Sequence, residues 1–188
     1  MRAPFRILKR RICVVEILWH GRGGQGAFTA AKLLGAAYCT QDGHYALAFP
    51  SFGPERRGAP MRAFTKLSRE RIGNRSALSV ADFVIYLDET LLPENPFGEL
   101  KEGGAVLVNS ARTFDDPRIV SIDADGISSS ILGRAIPNTV LLGALSVLSE
   151  DVREEDLLQA IRDYMPPKLH QKNFDVVQAA VKAMEGGR

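Results

Sequence analysis

Apolar positions along this chain fall into two recurring patterns. Short near-continuous runs occur at Ile12 to Leu18, Ala81 to Asp88, Ala105 to Val108 and Ile119 to Ile122. Such runs suit strands buried on both faces, as in a parallel sheet. Helical spacing dominates elsewhere. Ala27 to Tyr38 is a small-residue helix, and the second half turns helical from Ser128. Asn138 to Leu148 is rich in Leu, Val and Ala, Arg153 to Tyr164 repeats its apolar positions on one face, and Pro166-Pro167 ends that helix. Leu169 to Met184 aligns Phe174, Val177, Ala180, Val181 and Met184. His44 to Phe49 and Met61 to Leu67 read as further strands, whereas Pro93 and Pro96 allow only short helix between 91 and 100. No internal repeat or linker interrupts the series. The pattern predicts an α/β fold: a single Rossmann-like domain over 13–188, with a mostly parallel sheet and helices on both faces.

One stretch organises the rest. Strand and first helix are joined by Trp19-His20-Gly21-Arg22-Gly23-Gly24-Gln25-Gly26, with four glycines in six residues. A strand, glycine turn and helix in that order place backbone N–H groups where an anion can bind. Gly21, Gly23 and Gly26 also satisfy the spacing of a dinucleotide fingerprint. That fingerprint needs an acid at the end of the second strand, and here the strand ends Ala48-Phe49-Pro50-Ser51. Bulky Arg22 and Gln25 stand where a pyrophosphate favours slim neighbours. A free-standing NADP-binding Rossmann-type reductase is therefore the alternative reading, and a turn packed only within its own domain is a third.

The 188 residues suit one domain of ordinary globular composition. No apolar run reaches the roughly 18–20 residues of a membrane span. The net charge of +2 is unevenly spread: Arg2, Arg6, Lys9, Arg10 and Arg11 crowd the start, and the remainder carries 19 basic against 22 acidic side chains. Residues 1–12 are expected to be a disordered basic extension. The mildly acidic remainder gives no support for nucleic-acid binding. Cys13 and Cys39 lack C-x-x-C spacing, so neither a metal nor a cluster site is expected, and both read as small buried residues. His20 is expected to be a hydrogen-bonded structural histidine, with contact to an active site as the sharper option. His44 and His170 read as turn and helix surface. Asn138 follows Pro137 as a candidate N-cap, with ligand or subunit contact open. Asp88 and Glu89 end a buried strand and suit either a ligand edge or a helix cap. No catalytic residue is assigned.

A second unusual stretch, Pro50-Ser51-Phe52-Gly53-Pro54-Glu55-Arg56-Arg57-Gly58-Ala59-Pro60, is stiffened by proline and freed by glycine at its edges. Charged side chains on such a loop meet an anionic ligand, meet carboxylates of a neighbouring subunit, or stay as solvated surface charge. Taken with Asp88-Glu89-Thr90-Leu91-Leu92 and the run from Ile136 to Leu145, these motifs resemble the gamma subunit of pyruvate:ferredoxin oxidoreductase, a branch of the 2-oxoacid:acceptor oxidoreductases. The resemblance covers about residues 15–180.

It implies one subunit of a cytoplasmic enzyme that is inactive alone. Its partners would be alpha, beta and delta-type subunits, with ferredoxin met indirectly. In the assembled complex a 2-oxo acid, in the first instance pyruvate, is oxidatively decarboxylated with coenzyme A to acyl-CoA and CO2. Thiamine diphosphate, Mg2+ and iron–sulfur clusters would sit on the other subunits, with no cofactor held by this chain alone. The candidate ligand-binding or interface residues are Gly21, Arg22, Gly23, Gly24, Gln25, Gly26, Glu55, Arg56, Arg57, Gly58 and Asn138. An apolar partner surface, and hence self-association of the isolated chain, is expected.

Overall fold

A computed structural model describes residues 14–51 and 57–186 of the chain. The expected basic extension, together with Cys13, Glu55 and Arg56, lies outside the described residues. Among the described residues six strands form one sheet in the order β2-β3-β1-β4-β5-β6. They are β1 (Val14–Arg22), β2 (Tyr45–Pro50), β3 (Pro60–Ser68), β4 (Ala81–Tyr86), β5 (Leu100–Asn109) and β6 (Ile119–Ile122). β1, β4, β5 and β6 pair in parallel, whereas β3 is antiparallel to both β1 and β2. The mostly parallel α/β architecture stands, with β3 alone reversed among the described strands. β3 follows β2 in sequence and pairs with it antiparallel, so no long crossover of the kind a parallel neighbour requires separates them.

Among the described residues there are five α-helices, the first between β1 and β2 and the others after β6: α1 (Ala27–Tyr38), α2 (Ala124–Leu132), α3 (Asn138–Leu148), α4 (Glu154–Tyr164) and α5 (His170–Gly186). Their distribution differs from the expected one. Strand side chains alternate: Ile17, Trp19, Phe83, Ile85 and Leu107 join one core with residues of all five helices. Leu18, Val84, Tyr86, Val106 and Val108 point the other way, into a smaller core closed by Leu91, Leu92, Phe97 and Phe114. Helices therefore cover one face, and loops with a short 3-10 turn (Glu89–Leu91) cover the other. The β3–β4 and β4–β5 connections are too rich in Pro, Gly and polar residues to supply a crossover helix there.

Close packing on the helical face depends on small residues. A Cβ on Gly35 of α1 would lie 3.3 Å from the Ala46 Cβ of β2, and one on Gly143 of α3 would lie 2.8 Å from the Val177 carbonyl of α5. Trp19 is wholly buried there, its Nε1–H donating to Thr65 Oγ1 at 3.0 Å. Cys39 departs from expectation, for it is exposed at the C-cap of α1, beyond the helix's buried stripe. Among the described residues the exposed large hydrophobics are Tyr45, Val80 and Tyr164, each on a different segment. No helix among the described residues is long and apolar enough to cross a membrane.

Candidate functional site

The glycine turn lies at the carboxyl end of β1, beside the end of β4, the edge at which open α/β sheets bind ligands. Both segments singled out by sequence meet here. Gly23 N–H donates to the Ala59 carbonyl at 2.9 Å, and Gly58 N–H donates to the Gly23 carbonyl at 3.0 Å. Gly23 and Arg57 thereby form a short parallel bridge, with Arg57 exposed. Gly58 turns the chain at φ +80°, a conformation in which glycine is at ease.

Asp88 ties the turn from the opposite side. Its Oδ2 accepts from Arg22 Nε at 2.9 Å and from Gln25 Nε2 at 3.1 Å. Its Oδ1 accepts from the Thr90 N–H and hydroxyl, capping the 3-10 turn. Arg22 also donates to Thr90 Oγ1 and to the Gly58 carbonyl, so one guanidinium spans three segments. Burial pushes the Asp88 carboxyl up, but the hydrogen bonds from Thr90, Gln25 and Arg22 outweigh it and hold the group below its ordinary value. Both sequence readings of Asp88, capping and the ligand edge, describe its position.

Gln25 folds back so that its Oε1 accepts the Arg22 N–H at 2.7 Å, while Gly24 is open to solvent at φ +101°. Gly21 packs inward, where a Cβ would meet Ala27 Cβ at 3.1 Å. Gly26, at φ +82°, begins α1 directly beneath Asn138. The N-cap reading of Asn138 is corrected here. Pro137 holds that position, and the buried Asn138 is the first residue of α3. Its Oδ1 accepts from the Thr139 N–H at 2.8 Å, and its amide nitrogen faces Gly26.

On the loop-covered face, a cleft of about 570 Å³ opens beside the same edge. Strand register sets Arg62, His20 and Tyr86 abreast on β3, β1 and β4. His20 stacks on Tyr86 with ring centroids 4.6 Å apart and 7° between planes. Glu99, just before β5, bridges His20 Nε2 at 2.7 Å and Arg62 Nη2 at 2.8 Å. Burial lowers the His20 pKa more than the Glu99 charge and hydrogen bond raise it, which favours the uncharged ring. Burial, aided by the Glu99 charge, pushes the Tyr86 hydroxyl up to about 12. His20 is thus hydrogen-bonded as expected, and it also lines a cleft. Sequence reasoning missed Arg62, Tyr86 and Glu99. The alternation Leu18–His20 gives the face, but nothing local signals which residues of other strands lie alongside.

A family model described as pyruvate ferredoxin/flavodoxin oxidoreductase matches residues 16–184. The chain belongs to this family. The pyruvate synthase subunit PorC of Methanothermobacter marburgensis is 44% identical over 175 residues, 92% of this chain and 98% of that protein. The pyruvate/ketoisovalerate oxidoreductases common subunit gamma of Thermococcus kodakarensis is 37% identical, covering 89% and 95%. Among solved structures, the pyruvate oxidoreductase subunit PORC of Thermotoga maritima superposes with a TM-score of 0.79 at 34% identity, over 91% of this chain and 97% of that one.

Within this oxidoreductase family the chain is of the gamma type, and the free-standing NADP reductase is not favoured. The topology agrees. β3 lies between β1 and β2, so the end of β2 is displaced from the glycine turn, where a dinucleotide's ribose would need its acid. Asn138 also occupies the space over Gly26. Among the described residues no group of three or more His, Cys, Asp or Glu could hold a metal ion.

Proposed function

We propose that this chain is the gamma subunit of a ferredoxin-dependent pyruvate oxidoreductase, assembled with alpha, beta and delta-type subunits in the cytoplasm. The complex oxidatively decarboxylates pyruvate with coenzyme A to acetyl-CoA and CO2, passing two electrons to ferredoxin. The observation that carries this reading is the clamp between Gly23 and the 57–59 segment. It presents a glycine turn and an arginine-bearing loop on one edge, half of a pocket that other polypeptides complete. Arg57, with Arg56 and Glu55 beside it in sequence, meets either the phosphates of coenzyme A or carboxylates of a neighbour.

Thiamine diphosphate, Mg2+ and the iron–sulfur clusters belong to the other subunits. Two cysteines in the whole chain are too few for the usual set of four thiolates around a cluster. Reconstitution tests the reading. The remaining subunits without this chain should lack coenzyme-A-dependent ferredoxin reduction, and adding it should restore turnover. Pyruvate oxidation by the isolated chain would overturn it. Replacing Arg56 and Arg57 together with Ala should cut turnover of the assembled enzyme, whereas intact turnover would make the loop a scaffold only.

A further inference from the structure

The cleft on the loop-covered face is separate from the clamp yet opens on the same sheet edge, and the arrangement inside it is that of an oriented base. A carboxylate only accepts hydrogen bonds, so the 2.7 Å contact to Glu99 puts the proton of neutral His20 on Nε2 and leaves the lone pair on Nδ1. Arg62 holds the other oxygen of the same carboxylate, and the Tyr86 ring fixes the imidazole plane. Base, orienting carboxylate, its arginine partner and the aromatic platform therefore come from four different segments brought together by the sheet. Pro60, Met61, Leu91 and Pro93 line the same cleft beside polar Ser51 and Asn95. Arg62 and Glu99 keep 48% and 26% of their side chains exposed, so a proton collected on the ring has a route to water.

Any enzyme that makes a thioester from a free thiol must dispose of the S–H proton. A thiol with a pKa near 8.5 is mostly protonated at neutral pH, and its thiolate is the nucleophile. We propose that His20 is a catalytic base of this chain, taking that proton from the thiol of the acyl acceptor, with Glu99 and Arg62 as positioning residues. This rests on the coenzyme-A-dependent reading above. The S–H bond breaks and its proton passes to Nδ1, giving an imidazolium paired with Glu99. The electron pair stays on sulfur and becomes the C–S bond of the thioester, while the bond from the acyl carbon to its carrier on the other subunits breaks and its electron pair returns to that carrier. The two electrons of the oxidation leave through the acceptor side of the enzyme.

The test uses the assembled enzyme carrying His20→Gln or Glu99→Gln. Its readout is kcat/KM for coenzyme A against pH, beside single-turnover reduction of the enzyme by pyruvate without coenzyme A. The groups facing His20 are Arg62 from β3, Tyr86 from β4 and Glu99 from the segment before β5. H20Q should lower kcat/KM at pH 7 by about 100-fold and abolish the acid limb of the profile. E99Q removes a charge that raises the His20 pKa, so it should keep the limb, shift it to lower pH and lower its plateau. The thiol-independent step should survive in both. A limb unchanged in H20Q, or equal losses in the two steps, would overturn the proposal and leave a structural histidine. Wild-type turnover that ignores coenzyme A would instead overturn the underlying reading, before any variant is made.

Discussion

The side-chain amide of Asn138 occupies the place where Gly26 would carry a Cβ, which would lie 2.5 Å from Asn138 Nδ2. This contact fastens the N-terminus of α3 onto the glycine turn, so the turn is held by helix packing as well as by strand order.

Gly26→Ala should therefore destabilise the chain by about 2 kcal/mol, since it combines a positive φ with a steric clash. Urea unfolding of G26A, N138A and the double variant checks this. The double variant should be more stable than the two single losses summed, because removing the amide relieves the clash but not the backbone strain.

Asp88→Asn tests the hub that joins Arg22, Gln25 and Thr90. The folded carboxyl lies below its ordinary value, so its stabilisation is complete above about pH 4 and is lost as pH falls through the lower folded value. At pH 7 D88N should be less stable by about 1–3 kcal/mol, and the gap to wild type should close in acid. A gap independent of pH would refute the role given to the charge.

Asp156 anchors the start of α4 to the end of α1, accepting from Arg153 Nε at 2.6 Å, Thr40 Oγ1 at 2.6 Å and Gln41 Nε2 at 2.8 Å. Asp156→Ala should cost about 2–4 kcal/mol in thermal or denaturant unfolding. Its partners Arg153, Thr40 and Gln41 lie outside the glycine turn and the cleft, so the assembled enzyme should keep its turnover at low temperature.

Tyr86 offers a test on the alkaline side. Its hydroxyl titrates at about 12, so the unfolded chain releases this proton first, near pH 10. The folded state accordingly loses stability as pH rises past 10. Tyr86→Phe should remove that component, and the latest transition in a tyrosinate absorbance titration should vanish with it.

Legibility differed between elements and sites. Ile119 to Ile122 and Asn138 to Leu148 match the observed strand and helix because burial on a fixed period writes itself into local sequence. The glycine turn and the arginine-bearing loop were visible for a related reason, since Gly and Pro are selected by backbone geometry that neighbours share. Strand direction carries no such mark, and the reversal of β3 was invisible. So was the absence of helices from the second face, which depends on what the β3–β4 and β4–β5 connections do after leaving the sheet.

By itself, then, the sequence determined the elements, the α/β class, the family motifs and the two segments that carry candidate chemistry. Only the tertiary structure decided that Gly23 and Arg57 touch, that Asn138 serves Gly26 rather than its own helix end, and that Arg62, His20, Tyr86 and Glu99 form one group. The physical reason is range. Helix periods, caps and turns are settled over a few neighbouring residues, but a contact such as His20 to Glu99 spans 79 positions and exists only once strand register has fixed it.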